Sequence, residues 1–330
     1  MVSEDSNKTK KSVSFTKIPK RKYDPPSITY YGSKAYWPLA TRSRLFFPFF
    51  SLTKFIKTKP NQNQILGKGH FGTVFAYHDE TNNSNNMAIK VLRKSSIIRE
   101  KAVIQIIQEI RIHSVCSGLQ NVLPFLSAWQ DSLNLYVATQ LCSKGTLAEL
   151  MIKRDLKPLC SEAILTAAQQ LHTGLKAIHN LGVIFRDLKL KNVLISESGN
   201  LIISDFGLAK WLNRHQRTHT ICGTLAFMAP EVSLNQPYHH SVDLWSLGMV
   251  LYGLAFGYLP FAKAKDHEHL AELQNCEMFE LKHEDHQVET LLEKLLQKDP
   301  DSRTFEDKSN SAIDPFAKLP SFIDLAKLDP

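Results

Sequence analysis

The 330-residue chain is poor in cysteine, glycine and proline, with 5, 14 and 15 of them. The cysteines, Cys116, Cys142, Cys160, Cys222 and Cys276, are odd in number and scattered, without a C-x-x-C pair. That excludes a disulfide framework and a zinc site and fits a reducing compartment. So little glycine and proline excludes a fibrous or low-complexity protein. No unbroken apolar run reaches the ~20 residues of a membrane span. The longest, Leu244 to Phe261, is cut by Gly248, Gly253, Gly257 and Pro260 and reads as a buried core helix. An apolar signal-peptide core is missing near the start, and Val2 is not the glycine that N-myristoylation needs. The expected location is intracellular and cytoplasmic. No repeat of 20–50 residues is evident.

What the chain has is an ordinary globular mixture, 43% hydrophobic and 22% charged. Its net charge of +8 is unevenly spread: residues 1–60 hold 13 Lys/Arg against 3 Asp/Glu, the remainder 27 against 29. Residues 1–35 read as a basic, disordered leader. Residues 36–60 read as an aromatic-rich docking segment, with Tyr36, Trp37, Phe46, Phe47, Phe49, Phe50 and Phe55, expected to pack on its own domain. Its cations Arg42, Arg44, Lys54 and Lys57 support a rival reading, weak contact with an acidic membrane or protein surface. No nucleic-acid partner is expected.

From Asn61 to about Gln140 the pattern is short strands around one helix. Val74, Phe75 and Tyr77 fit a strand, as do Met87–Leu92 and Leu135–Leu141. Ile98–Cys116 reads as a helix with Val103, Ile106, Ile107, Ile110 and Val115 on one face. Beyond it the periodicity turns helical: Ile164, Ala168, Leu171, Leu175 and Ile178 recur every three or four residues. Ser161 is the expected N-cap there, and Gly182 lies past the end.

Gly67-Lys68-Gly69-His70-Phe71-Gly72-Thr73-Val74 is a G-x-G-x-x-G-x-V run. Its glycines let backbone N–H groups approach phosphate oxygens. Dinucleotide-binding proteins share the spacing, but there the glycines open a helix; here β-branched and aromatic residues follow, so they join two strands. Lys90 lies in the apolar strand Met87-Ala88-Ile89-Lys90, where a lysine is costly to bury unpaired. An edge lysine facing solvent is the plain alternative. Glu109 on the following helix is the expected partner, with Glu100 a weaker candidate, and the pair would hold Lys90 against ATP phosphates.

The strongest local signal is Arg186-Asp187-Leu188-Lys189-Leu190-Lys191-Asn192. Asp187 would accept a substrate hydroxyl proton, Lys189 would neutralise the transferring phosphoryl group, and Asn192 would ligate Mg²⁺. Asp205-Phe206-Gly207 follows the apolar strand Leu201–Ile203, with Asp205 as the second metal ligand. D-F-G alone is common by chance. The ordered set is not, with Ala229-Pro230-Glu231, Asp243-x-Trp245-x-x-Gly248 and Arg303 behind it.

These motifs together resemble the eukaryotic protein kinase family over residues 61–316. Phe185 stands where the family usually has His. An aromatic there, with Thr220-Ile221-Cys222-Gly223-Thr224, resembles the group of protein kinases A and C and the ribosomal S6 kinases. Thr220 through Val232 and Pro237-Tyr238-His239-His240 are similar to its S6 kinase-related branch. The resemblance implies an α+β, bilobal fold with a small β-rich N-lobe, residues 61–139, and a larger helical C-lobe, residues 145–316. A short tail, 317–330, would follow, without the aromatic motif with which the group's tails end.

By position it implies a hinge meeting adenine at Gln140 and Cys142, with Thr139 as gatekeeper. Leu66, Val74, Ala88 and Leu194 would line the adenine slot. Thr224 would sit beside Asp187 and Lys189, Glu231 would pair with Arg303, and Asp243 would brace the catalytic loop. ATP and Mg²⁺ are the implied cofactors, a protein the implied substrate, and an upstream kinase acting on Thr220 the implied activator, with Arg186 and Lys210 receiving the phosphate and Thr218 as the rival site. Four positions that carry substrate-reading carboxylates in protein kinase A-like enzymes hold Thr146, Lys191, Ala226 and Gly253 here, so basic-directed specificity is not expected; Glu149 nearby would compensate in part. The expected activity is Ser/Thr phosphorylation, the alternative a pseudokinase scaffold. Lys90, Asp187, Asn192 and Asp205, all present, favour the first.

Overall fold

The computed structural model describes residues 65–69, 71–77, 86–212, 216–276, 281–305 and 321–327. The expectations for the leader, the aromatic segment and the closing residues 306–320 lie outside these. Among the described residues no helix is long and apolar enough to cross a membrane.

The first unit of structure is a five-stranded antiparallel sheet in the order β1-β2-β3-β5-β4. Its strands are β1 (Ile65–Lys68), β2 (Gly72–Tyr77), β3 (Met87–Arg93), β4 (Phe125–Gln130) and β5 (Asn134–Gln140). The glycine run is the β1–β2 hairpin connection, not a helix start. Val74 faces Lys90 and Lys90 faces Val137, so the lysine sits on the central strand of the sheet.

The helix expected over Ile98–Cys116 is two. α1 (Lys94–Arg99) ends before Lys101, whose φ of 55° no helix accommodates, and α2 (Val103–Cys116) starts anew. Ile106, Ile110, Ile112, His113 and Cys116 form the buried face of α2, and Val115 is exposed. Glu100 ends outside this helix, 3.4 Å from Arg99. β4 escaped the sequence reading because Ser127 and Gln130 interrupt a short apolar run.

The larger lobe contains α3 (Leu147–Lys153), α4 (Ser161–Asn180), β6 (Val183–Ile184), β7 (Val193–Ile195), β8 (Leu201–Ile203), β9 (Lys210–Trp211), α5 (Pro230–Ser233), α6 (Ser241–Phe256), α7 (His267–Cys276), α8 (His286–Leu295) and α9 (Phe322–Leu325). β6 pairs with β9 and β7 with β8. Ser161 is the first residue of α4 and makes no side-chain cap; Cys160 holds the cap position. The apolar run at Leu244 is α6, with 14 of its 16 residues buried, including Trp245 at 1% exposure. Around it the side chains of α4, α8 and the β7–β8 hairpin make one continuous core. Within residues 321–327, Phe322, Leu325 and Ala326 are buried, and α9 packs on α4.

Candidate active site

The motif residues converge at the seam between sheet and helices. The Nζ of Lys90 donates to Glu109 Oε1 at 2.7 Å. Burial works against the charge on Lys90, but the carboxylates of Glu109 and Asp205 outweigh it and raise its pKa. A Cβ on Gly207 would meet Asp205 Oδ1 at 3.2 Å and Glu109 Oε2 at 3.6 Å, so Glu109 also adjoins the D-F-G turn. In the glycine run, a Cβ on Gly72 would lie 1.9 Å from Val91 O, which bars any side chain there and keeps the hairpin close to β3.

Asp187 is the hub of a second cluster. Its carboxylate accepts from Lys189 Nζ at 2.7 Å, Thr224 Oγ1 at 2.9 Å and Asn192 Nδ2 at 2.9 Å, and Lys189 also donates to Thr224 at 2.8 Å. Asn192 Nδ2 donates in addition to Asp187 O, so its amide oxygen stays free for a cation. The backbone that aims these groups is strained: Arg186 and Asp205 have φ of 72° and 65°, in the left-handed region that non-glycine residues avoid. Asp243 at the start of α6 offsets the cost. Fully buried, it accepts from the N–H groups of Phe185 and Arg186 at 2.9 and 2.7 Å and from His179 Nε2 at 2.7 Å. Burial penalises its charge, yet these donors hold its pKa below the usual carboxylate value.

A column of rings ties the clusters together. His113 of α2 stacks on Phe206 at 4.7 Å and meets Phe125 of β4 edge-on at 5.5 Å; Phe206 meets Phe185 edge-on at 5.3 Å. His113 Nε2 is 2.8 Å from Leu123 O. Burial pushes the His113 pKa down to about 4. The sequence reading missed this histidine, and also His179, because each looks like an ordinary position within a helix. Gln105, which donates to Gly207 O at 3.1 Å, was hidden the same way.

The remaining expected residues are spread over the connection between the lobes and the large lobe. Ala88 faces Thr139 and Met87 faces Gln140 across β3 and β5, Cys142 follows at the lobe connection, and Leu194 bridges to Thr146. Leu66 is half exposed on β1. Glu231 and Arg303 form a bidentate pair at 2.6 and 2.7 Å, both buried, with the guanidinium 5.1 Å from the Trp245 ring centre. Without a phosphate on Thr220, the Lys210 ammonium donates to the buried Thr218 Oγ1 at 3.0 Å. Thr220 is exposed, and its carbonyl accepts from Tyr238, whose hydroxyl accepts from Arg186. The exposed Glu149 closes a capping box with Thr146.

A family model described as protein kinase domain matches residues 61–310. The chain belongs to the protein kinase family. It is 36% identical over 222 residues to the cell cycle serine/threonine-protein kinase CDC5/MSD2 of Saccharomyces cerevisiae, covering 66% of this chain and 31% of the relative. It is 34% identical over 238 residues to the human ribosomal protein S6 kinase-related protein, covering 70% and 55%. Serine/threonine-protein kinase plk-2 of Caenorhabditis elegans is 31% identical over 219 residues, covering 66% and 34%. This kinase thus spans between about a third and just over half of the length of those relatives. A ribosomal protein S6 kinase-related protein is thus among the relatives, in line with the expected resemblance. Proteins with this domain use ATP, typically with Mg²⁺.

Among the described residues no three His, Cys, Asp or Glu side chains are grouped as a metal cage. A carboxylate and an amide oxygen, from Asp205 and Asn192, nevertheless fit Mg²⁺, which retains waters and phosphate oxygens in its shell.

Proposed function

We propose that this chain is a serine/threonine protein kinase that transfers the ATP γ-phosphoryl group to protein hydroxyls. The observation that carries the reading is the Asp187 carboxylate held by Lys189, Thr224 and Asn192 beside an intact Lys90–Glu109 pair. Asp187 orients the acceptor hydroxyl and accepts its proton. Lys189 offsets charge on the phosphoryl group, and Lys90 holds the α/β-phosphates. The backbone of Gly67, Gly69 and Gly72 covers the phosphates, while Leu66, Val74, Ala88 and Leu194 enclose the base and Gln140 and Cys142 offer it backbone groups. Asn192 and Asp205 would hold Mg²⁺, which when bound neutralises phosphate charge. The five unpaired thiols fit work in a reducing compartment such as the cytoplasm. Incubation with Mg²⁺ and ATP should give phosphate on serine or threonine of the chain or of added protein, lost in Asp205→Ala. Equal incorporation in both, or none in either while nucleotide binds, would replace the reading with a scaffold role.

Thr220 is the activating phosphosite in this reading, supplied by an upstream kinase. Its exposure supports this, as does Arg186 reaching Tyr238, the residue hydrogen-bonded to Thr220. Thr218 is 3% exposed and already bonded to Lys210. Thr220→Ala should lower activity in cells at least several-fold, and full activity would remove the assignment.

The substrate sequence is acidic or neutral near the target residue. Lys191, exposed and four residues from Asp187, has no partner among the described residues. Gly253 is covered by the half-buried Leu190 and Leu259, which supports an apolar surface in place of a carboxylate there. Glu149, the one nearby acid expected to compensate, is committed to its capping box.

A further inference from the structure

The turn between β7 and β8 touches two things at once. On one side Glu197 reaches the lobe connection: its carboxylate accepts from the N–H of Ser143 at 3.0 Å and from the Ser143 hydroxyl, and Lys144 Nζ donates to its carbonyl at 2.6 Å. The Ser143 donors hold the Glu197 carboxyl below its usual pKa. On the other side the turn receives the C-terminal segment. Ser321 Oγ donates to Ser198 O at 3.0 Å, and Ile323 N donates to Gly199 O at 3.1 Å. Gly199 has φ +81°, and a Cβ on it would lie 2.0 Å from Ile323 Cγ2. Only glycine leaves room for the segment.

The turn itself is stiff. Ser196 N donates to Asn200 O at 2.8 Å, Gly199 N to Ser196 O at 2.9 Å, and Gln170 of α4 holds both Asn200 and the N–H of Leu201. The segment is anchored beyond the turn as well: Phe322 is fully buried, Arg154 donates to Ala326 O at 2.9 Å, and Cys160 to Leu325 O at 3.6 Å. A displacement of residues 321–323 therefore passes through one short closed turn to Ser143, the neighbour of Cys142.

We propose that the C-terminal segment Ser321–Ala326 is a positioning element for the nucleotide site, acting on the hinge through Gly199, Ser198 and Glu197. It touches no reacting atom. The inference rests on the reading that Cys142 meets adenine, and it predicts an effect on nucleotide affinity, not on the chemical step. The bonds involved are exposed, so the effect is modest, about two- to fivefold.

The test uses the full chain and the variants Glu197→Ala and Gly199→Ala, the second forcing residues 321–323 off the turn. A fluorescent ATP analogue reports nucleotide Kd. Kinetics report KM for ATP, KM for substrate and kcat, and hydrogen exchange reports the Ser143 amide without ligand. Expected are faster exchange at Ser143 in both variants, a two- to fivefold rise in nucleotide Kd and in KM for ATP, and kcat and substrate KM unchanged. The double variant should be no worse than the weaker single one, because both cut the same connection. Glu197→Gln, which keeps an acceptor oxygen, should recover most of the affinity. Unchanged Ser143 exchange in Gly199→Ala overturns the inference, as does a lower melting temperature with unaltered nucleotide Kd. A parent chain that binds no nucleotide yet shows the exchange change would sink the kinase reading and keep the connection.

Discussion

The two lobes are stabilised by different means. The small lobe is a sheet held by cross-strand hydrogen bonds, with Ile65 and Leu66 about half exposed at its edge strand. The large lobe is built around α6, a helix buried on every side, with a buried ion pair against it. Regions with few buried apolar contacts open at lower free-energy cost. The β1–β2 hairpin thus belongs to the yielding part, and the Asp187 cluster to the rigid part. The site needs both, and among the contacts that join them are Gln105 on Gly207, the rings of Phe125, His113, Phe206 and Phe185, and the backbone bonds of Asn121 and Leu123 to Ile203.

The sharpest way to separate the lobes is to cut one ion pair in each. Arg303→Ala leaves Glu231 buried and unpaired, which costs about 3–5 kcal/mol. Denaturant unfolding should show that loss, and large-lobe amides should lose exchange protection. Glu109→Ala leaves Lys90 partly solvated at 28% side-chain exposure, so stability should fall by only about 1 kcal/mol while activity collapses. Equal destabilisation by the two substitutions would erase the contrast.

An acid titration probes the link. His113, in the ring column, and His240, at the start of α6, are both pushed down to about 4, chiefly by burial. Each histidine takes a proton in the unfolded chain near its ordinary value of about 6.5 but resists it in the fold. Stability should therefore be complete above pH 6.5 and decline as pH falls toward 4, by on the order of 1 kcal/mol per pH unit for the well-buried His113. His113→Leu should flatten that part of the decline, leaving the share of His240. Melting temperatures from pH 7.5 to 4.5 check it; identical slopes for both proteins would remove His113 from the account.

The smallest effect concerns the rim of the rigid lobe. Lys191→Glu should shift substrate preference from acidic toward basic neighbours of the target residue by several-fold, the scale of one exposed charge contact. A positional peptide library reads this directly. Strong selection for Arg by the unaltered chain would refute the acidic-or-neutral reading.

How much of this was legible in the sequence depended on distance along the chain. Motifs whose members lie within a few residues, Gly67–Val74 and Asp187–Asn192, carried their geometry with them because a short backbone path constrains where side chains fall. The Lys90–Glu109 pair was also legible, since an unpaired charge among apolar residues demands an opposite one, whereas the Glu231–Arg303 pair followed from the family resemblance. The break at Lys101 was not, because tertiary packing of two short helices overrode a periodicity that continued through it. The bond of Lys210 to Thr218 was not legible either, because only the packing of the loop decides which hydroxyl an ammonium reaches.

The family, the order of strands before helices and the charged groups at the seam were all readable from local motifs and their order along the chain. Long-range packing was needed to bring His113 and His179 into the site and to fold residues 321–327 back on α4 beside the turn that holds the hinge. These depend on contacts between segments tens of residues apart, between Ser321 and Ser198 or His179 and Asp243, and no local pattern encodes which distant surface a side chain will meet.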